Sequence, residues 1–204
     1  MSPEVLVVPT GTANLASVLA GLRRAGAIPR VAREPGEVAA AAAVVLPGVG
    51  ALAAAMEGLR AEGLVEPLRE RIAGGRPTLA VCLGLQLLAE GSEESPGVMG
   101  LAAVPGVARR LPDTVRVPQM GWNRVSPAPG CALLEPGWAY FANSYALAAA
   151  PPGWRAAWTE YGGPLVAAME RGALLACQFH PELSGAWGAA LLARWVHTAC
   201  GGGA

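Results

Sequence analysis

The chain has 204 residues, and its 15 lysines and arginines are balanced by 15 aspartates and glutamates, so the formal net charge at pH 7 is zero. Because there is no excess of positive charge to replace counterions, nucleic acid and anionic membrane surfaces are poor candidates for the main partner. All 15 cations are arginines, and the absence of lysine excludes a P-loop lysine and a lysine Schiff base.

Short apolar runs alternate with Ala- and Leu-rich stretches of helical period through the first ninety residues. In chain order they predict a strand at 5–8, a helix at 13–25, a strand at 44–46, helices at 51–60 and 64–73, a strand at 78–81 and a helix at 83–90. Strands and helices that alternate in this way are typical of a mostly parallel sheet with helices on its faces.

Proline and glycine become frequent between about residue 96 and residue 164. Extended runs at 104–111, 138–141 and 154–158 predict antiparallel strands added to the parallel core. A strand at 174–179 and a helix at 186–198 follow. We therefore expect an α/β fold with an open, mostly parallel central sheet flanked by helices. No repeat or linker divides the chain, so we expect a single domain over residues 1–204.

Three features indicate the setting in which the chain works. The uncharged stretch at 38–56 is mostly alanine and is interrupted by Pro47, so it is not predicted to span a membrane. No basic residue precedes the first apolar run, so we expect no signal peptide and a cytoplasmic location. The cysteines at 82, 131, 177 and 200 form no C-x-x-C pair, so we expect reduced thiols and no zinc site.

A cysteine stands where the predicted strand at 78–81 turns into the next helix. The small residues around it, Ala80 and Gly84, allow a sharp turn that lifts the thiol above the sheet. The N-terminus of the following helix would stabilise a thiolate there. Cys82 is therefore the predicted nucleophile, whereas Cys131 and Cys177 are predicted to be buried structural cysteines.

The chain contains two histidines, of which His180 is the better placed to serve as a base for Cys82. It follows the predicted strand at 174–179, and open α/β sheets place their sites at the carboxyl ends of strands. Glu182 can accept a hydrogen bond from its second ring nitrogen, which completes a Cys-His-Glu arrangement. His197, in the last predicted helix, is expected to lie at the surface or to cap that helix. A metal pair of Cys177 and His180 is disfavoured, because residues i and i+3 of a strand face opposite sides.

The segment Pro47-Gly48-Val49-Gly50 directly follows the predicted strand at 44–46. Its glycines allow a backbone conformation that aims an N–H at a developing oxyanion. Two alternatives remain open: a simple strand-to-helix turn, and a dinucleotide-binding fingerprint that ends at Ala53. The fingerprint is disfavoured because the acidic residue it requires would be Glu66 or Glu70, inside a predicted helix.

Seven short motifs carry a resemblance to a known family. They are Gly11-x-x-Asn14-Leu15-x-Ser17-Val18, Leu46-Pro47-Gly48-Val49-Gly50, Cys82-Leu83-Gly84-Leu85-Gln86-Leu87-Leu88, Glu90-Gly91-Ser92-Glu93-Glu94, Pro118-Gln119-Met120-Gly121-Trp122-Asn123, Tyr140-Phe141-Ala142-Asn143-Ser144-Tyr145 and Gln178-Phe179-His180-Pro181-Glu182. The cysteine turn and the His-Pro-Glu motif resemble those of class I (triad-type) glutamine amidotransferases. The Met-Gly-Trp-Asn run and the Pro-Gly-Val-Gly turn resemble the glutaminase subunits of imidazole glycerol phosphate synthase, from histidine biosynthesis.

The resemblance implies hydrolysis of glutamine to glutamate and ammonia without a cofactor or a metal. Cys82 would attack the side-chain amide to form a thioester, His180 would shuttle protons, and Glu182 would orient His180. The amides of Leu83 and of the Val49-Gly50 turn would hold the oxyanion.

The resemblance also implies residues for the substrate and for a partner. The residues that would contact glutamine are Gly48, Gln86, Glu94, Ser144 and Tyr145. The ammonia would pass to a (β/α)₈ cyclase subunit in a heterodimer, and Asn14 and Trp122 resemble positions at that contact. Packing in the core is an equally open alternative for Trp122.

Several positions depart from the pattern of the family. Residues 8–11 replace an Asp-Tyr-Gly type of sequence, and Ala80 replaces a glycine before the nucleophile. Gln119 and Asn143 stand where histidine is common, and neither amide titrates near neutrality. Leu183 replaces a lysine that often follows His-Pro-Glu, which would remove an ion pair with the partner.

Three other functions remain open beside this one. The chain could be the glutaminase domain of another amidotransferase, or a Cys-His hydrolase of the same fold that acts alone. It could also be a non-catalytic binding subunit that has kept the fold.

Overall fold

The first part of the chain alternates strands and helices, as its apolar periodicity predicts. In the computed structural model, which describes residues 2–11 and 13–201, the elements are β1 (Glu4–Val7), α1 (Leu15–Arg24), β2 (Ile28–Val31), α2 (Pro35–Ala40), β3 (Val44–Gly48), α3 (Leu52–Ala61), α4 (Val65–Ala73), β4 (Thr78–Cys82) and α5 (Leu83–Leu88). The predicted helices and strands of this part are present within a few residues of their expected ends. The sequence analysis missed β2 and α2, because Pro29 and Arg30 interrupt the strand and the helix begins with Pro-Gly.

The second part of the chain consists mainly of strands. They are β5 (Gly91–Ser92), β6 (Val107–Arg110), β7 (Gln119–Pro127), β8 (Gly137–Asn143), β9 (Tyr145–Ala146), β10 (Arg155–Glu160), β11 (Pro164–Arg171) and β12 (Leu174–Cys177), followed by a 3₁₀ turn (Pro181–Leu183) and α6 (Gly185–Gly201). The expected strand at 104–111 is shorter and lies in a separate small sheet with β5 and β9 rather than in the main sheet. The expected strand at 174–179 ends at Cys177, and β7 and β11 were not predicted.

The main sheet of the described residues has nine strands in the order β2-β1-β3-β4-β12-β11-β10-β7-β8. The first five run parallel to their neighbours, and the remaining four are added in antiparallel fashion. This arrangement confirms the predicted α/β fold with antiparallel strands in the second half of the chain.

Helices cover both faces of this sheet, because successive residues of its parallel strands are apolar and point to opposite sides. Leu6, Val44 and Leu46 face the layer that contains α2, α3, α4 and α5. Val7 and Val45 face the opposite layer, where α1 and α6 pack. The two layers bury β3, β4 and β12 completely, whereas β2 at the edge of the sheet stays partly exposed.

Three parallel strands end side by side at one edge of the sheet. In the strand register, Gly48 at the end of β3 lies opposite Cys82 at the end of β4. Cys177 at the end of β12 lies opposite Val81. The segments that follow these strands are the three in which the sequence analysis places functional residues, so the sheet brings them together.

Among the described residues, no helix is both long enough and apolar enough to cross a bilayer. The uncharged stretch at 38–56 is divided between α2, β3 and α3, with the turn at Pro47–Gly50 between the last two. The single domain over 1–204 and the cytoplasmic location stay predictions.

Candidate active site

Cys82 occupies a strained turn between β4 and α5. Its backbone angles are φ 55° and ψ −109°, in a region that residues with a side chain rarely adopt. Gly84 lets the turn close, because a Cβ atom there would collide with the carbonyl oxygen of Leu46. Ala80, which departs from the family pattern, is buried without preventing the turn. The local sequence therefore holds the thiol at the sheet edge.

A cavity of about 180 Å³ opens beside Cys82. Eight predicted site residues line it: Val49, Gly50, Cys82, Leu83, Gln86, Glu94, Ser144 and Tyr145. Ala142 and Asn143 also line it and were not predicted. Gly48 lies beneath the turn, where a Cβ atom would come within 3.0 Å of the Cβ of Leu83. Because Gly48 has no side chain, the segment can closely approach Leu83, the first residue of α5.

His180 lies between Cys82 and Glu182. Its Nδ1 is 2.8 Å from Oε1 of Glu182, and the side chain of Cys82 is near enough to act on its pKa. Burial by itself would lower the pKa of His180, but the hydrogen bonds and the charges of Cys82 and Glu182 outweigh it and raise the pKa from 6.5 to about 10. The ring is thereby held as a proton carrier between the sulfur and the carboxylate.

Strand β8 fixes the backbone on which His180 sits. The N–H of His180 donates to the carbonyl oxygen of Tyr140 at 2.9 Å. The hydroxyl of Ser184 donates to the carbonyl oxygen of His180 at 2.6 Å and accepts from the N–H of Tyr140 at 2.9 Å. These three bonds leave the imidazole little freedom to move away from Cys82.

Two helix glycines clamp the 3₁₀ turn that carries Glu182. At Gly21 of α1, a Cβ atom would lie 2.8 Å from the Cβ of Glu182. At Gly188 of α6, a Cβ atom would collide with the carbonyl oxygen of Pro181. Arg24 also donates to the carbonyl oxygen of Glu182 at 3.2 Å. Close helix packing therefore sets the position of the carboxylate that holds His180.

Gln178 is a buried polar residue at the site that the sequence analysis did not select. Its Nε2 lies 3.8 Å from Sγ of Cys82, and its Oε1 accepts from Nε2 of Gln86 at 3.2 Å. The signal available in the sequence was its place two residues before His180, just beyond an apolar strand. A polar residue in that position faces the same sheet edge as the histidine.

Glu94 and Ser95 connect the cavity wall to α3. Oε2 of Glu94 accepts from the N–H of Leu52 at 3.3 Å, and the hydroxyl of Ser95 accepts from the N–H of Ala53 at 3.2 Å. Both bonds satisfy N–H groups at the start of the helix. Glu94 is thereby anchored at the cavity wall.

The two amides that replace histidine, Gln119 and Asn143, face each other across β7 and β8. Both are buried. Nδ2 of Asn143 donates to the carbonyl oxygen of Tyr145 at 3.2 Å. Oδ1 of Asn143 and both polar atoms of the Gln119 side chain have no hydrogen-bond partner among the described residues. Asn143 belongs to the cavity wall, whereas Gln119 does not line it.

The two residues predicted to contact a partner lie outside the cavity. Asn14 is exposed and caps α1, where its Oδ1 accepts from the N–H of Ser17 at 3.3 Å. Trp122 is 55% exposed and meets Tyr140 edge-on, with ring centroids 6.3 Å apart. Packing in the core is therefore the wrong alternative for Trp122.

The remaining cysteines and the second histidine take no part in the site. Cys177 is fully buried, and burial raises the pKa of its thiol. Cys131 is half-buried, and burial raises the pKa of its thiol as well. His197 is exposed on α6. Within the part of the chain that the structure describes, no three His, Cys, Asp or Glu residues are grouped as metal ligands.

Comparison with known proteins identifies the family. Residues 12–199 match the family model described as glutamine amidotransferase class-I, and the chain belongs to this family. Among its relatives is imidazole glycerol phosphate synthase subunit HisH of Symbiobacterium thermophilum, which is 43% identical over 202 residues that cover 97% of this chain and 95% of that protein. HisH of Deinococcus radiodurans is 40% identical over 200 residues, which cover 95% of this chain and 93% of that protein.

Solved structures share the fold at lower sequence identity. A crystal structure of a glutamine amidotransferase superposes with a TM-score of 0.76 at 19% identity, and the match covers 97% of this chain and 99% of that chain. The structure of PurLQS from Thermotoga maritima superposes with a TM-score of 0.69 at 14% identity, covering 96% and 98% of the two chains. At these identities the likeness establishes the fold alone.

The substitution Gly21→Ala tests the clamp on Glu182. Because the added methyl would lie 2.8 Å from the Cβ of Glu182, the carboxylate must move and His180 loses its orientation. We expect the glutaminase kcat to fall about ten- to hundredfold, as for an ångström-scale misplacement of a catalytic group. Gly36→Ala is the matched control, since Gly36 is a helical glycine with no atom within 4 Å of the added Cβ. Equal activity of the two variants would contradict the clamp.

The substitution Glu182→Gln tests the electrostatic coupling of His180. Loss of the carboxylate should lower the pKa of His180 from about 10 toward 6.5, as followed by an NMR titration of the ring nitrogens. Since the folded-state pKa is raised, protonated His180 contributes stability that is fully present below pH 6.5 and is lost as the pH rises through about 10. The free energy of unfolding of the wild-type chain should therefore exceed that of Glu182→Gln by a margin that shrinks as the pH rises across that range. Glu135→Gln, an exposed partner of Arg194, is the control and should leave the His180 titration unchanged.

Proposed function

We propose that the chain is the glutaminase subunit of imidazole glycerol phosphate synthase, which supplies ammonia to a cyclase subunit in histidine biosynthesis. The observation that carries the proposal is the arrangement of Cys82, at its strained turn beside a cavity, with the hydrogen-bonded pair of His180 and Glu182, whose imidazole pKa Cys82 helps to raise. The family membership and the HisH relatives support the same function.

The first half-reaction would acylate Cys82. The thiolate attacks the side-chain carbonyl carbon of glutamine, and the N–H groups of Leu83 and the Val49-Gly50 turn bind the oxyanion that forms. His180, held protonated by Glu182, transfers its proton to the departing amide nitrogen. The C–N bond breaks, ammonia leaves, and a glutamyl thioester remains on Cys82.

The second half-reaction would release glutamate. Neutral His180 takes a proton from water, which attacks the thioester carbon in the same oxyanion site. The C–S bond then breaks, and its electron pair returns to the sulfur of Cys82. During both steps the amino-acid end of the substrate would be held by residues of the cavity wall and by Gly48 beneath the turn. The residues of the wall are Gln86, Glu94, Ser144 and Tyr145.

The proposed surface for the cyclase is the outer side of β7 and β8. We define this outer β7–β8 face by Met120, Trp122 and Trp138, whose side chains are exposed by 65%, 55% and 58%. In a strand with one exposed side, apolar residues usually face the core and polar residues face solvent. Here Met120 and Trp122 are exposed, whereas the polar Gln119 is buried on the other side of the strand. Apolar aromatic residues that remain exposed on a sheet are typical of a protein interface.

Glutamate release from glutamine tests the proposed function. We expect weak turnover by the chain alone, a strong rise with a cyclase subunit of imidazole glycerol phosphate synthase and its nucleotide ligand, and no turnover in Cys82→Ala. Full activity of the chain alone would instead identify a hydrolase that needs no partner. Inactivity in every mixture, with a cyclase preparation that works with free ammonia, would identify a non-catalytic subunit.

The substitution Trp122→Ala tests the outer β7–β8 face. Truncation of an aromatic interface anchor should weaken binding to the cyclase subunit about tenfold or more, as measured by calorimetric titration. Ile28→Ala is the matched control, because Ile28 is 57% exposed on β2, at the opposite edge of the sheet. Unchanged affinity in Trp122→Ala would remove this face from the interface.

A further inference from the structure

Gln178 makes polar contacts that the Cys-His-Glu arrangement does not explain. It follows β12 directly and is only 1% exposed. A buried amide is costly unless its groups are hydrogen-bonded, and here one partner is the reactive sulfur itself. The Nε2–Sγ distance of 3.8 Å places the amide beside Cys82 on the side toward β12.

The direction of the Gln178 amide is determined by a chain of hydrogen bonds. Nε2 of Gln86 donates to the carbonyl oxygen of Tyr145 at 3.0 Å, and a backbone carbonyl can only accept. Gln86 therefore presents its NH₂ group on this side, and the same group donates to Oε1 of Gln178 at 3.2 Å. Oε1 of Gln178 is thereby engaged, so its NH₂ group must point toward Cys82.

We propose that Gln178 is a further catalytic residue, whose side-chain amide donates a hydrogen bond to the sulfur of Cys82 and stabilises the thiolate. Gln86 acts as the positioning residue that prevents the amide from turning over. This inference rests on the proposed glutaminase chemistry, in which Cys82 carries negative charge before it attacks and again when the thioester breaks. A fixed donor at the sulfur lowers the energy of both charged states.

The other groups near the sulfur leave room for such a donor. Among the described residues, the titratable groups that face Cys82 are His180, with Glu182 behind it, and Glu94 and Tyr145 on the cavity wall. The carbonyl oxygen of Ala142, 4.0 Å from Sγ, can accept from a thiol but offers nothing to a thiolate. Gln178 supplies a neutral donor that keeps its hydrogen atoms at every pH at which the enzyme works.

The test is the pH dependence of Cys82 alkylation by iodoacetamide in the isolated full-length chain. Peptide mass spectrometry separates the product on Cys82 from those on the other cysteines, and Cys82→Ala gives the background. Gln178→Met keeps the length of the side chain and removes the donor, so the midpoint for thiolate formation should rise by about one pH unit. At a pH well below the midpoint, alkylation should then be roughly tenfold slower. Gln178→Glu places a carboxylate at the sulfur and should raise the midpoint further.

Gln86→Met gives a second, independent change. It leaves Gln178 in place but frees its amide to rotate, so the midpoint should rise less than in Gln178→Met. Thr159→Val, a buried polar residue of β10 that does not line the cavity, is the control for the loss of a buried polar group and should leave the midpoint unchanged. Thermal melting confirms that each variant is folded.

A midpoint that stays at the wild-type value in Gln178→Glu, or in Gln178→Met, would overturn the inference. A purely structural role would lower the melting temperature or raise the KM for glutamine without moving the alkylation midpoint. If one Gln178 variant does not fold, the other and Gln86→Met decide the outcome. Because alkylation needs neither glutamine nor a partner, its result is separate from failure of the proposed glutaminase function.

Discussion

The backbone turn at Cys82 is the constraint on which the rest of the site depends. A positive φ at a residue with a side chain is unfavourable, and it persists here because β4 and α5 are packed from both sides. The turn closes over Gly84 against Leu46 of β3, so it also fixes how closely the Gly48–Gly50 segment approaches. One strained residue thus positions both the thiol proposed as the nucleophile and the backbone amides around it.

The hydrogen-bonded pair of His180 and Glu182 is held in place by β8 and by the helices α1 and α6. His180 is tied to β8 through Tyr140, and Glu182 is pressed into place by α1 and α6 at two glycines. The pKa of His180 then rises to about 10, because the hydrogen bonds and charges of Cys82 and Glu182 outweigh the burial of the ring. Helix packing at Gly21 and Gly188 thus holds in place one of the two groups that raise the pKa of His180.

The antiparallel strands connect the site to the outer β7–β8 face. The backbone of Tyr140 bonds with His180, while its ring meets Trp122 on the outer side. At the start of β7, the polar Gln119 is buried, whereas Met120 and Trp122 are exposed on the other side, so this part of the strand presents apolar groups to solvent. A partner bound to this face would contact the same strand pair that fixes the backbone of the proton carrier.

The sequence by itself determined the alternation of strands and helices, the turn at Cys82 and the pairing of His180 with Glu182, because these depend on local periodicity and on residues close in the chain. It did not reveal β7, where the polar Gln119 is buried and the apolar Met120 and Trp122 are exposed, nor β2, where proline and arginine interrupt the apolar pattern. Only the tertiary structure brought Gln178 and Gln86 together at the sulfur and pressed Gly21 against Glu182, since these contacts join segments more than 90 residues apart. Such contacts depend on strand order and on how closely helices pack, and neither leaves a periodic signal in the sequence.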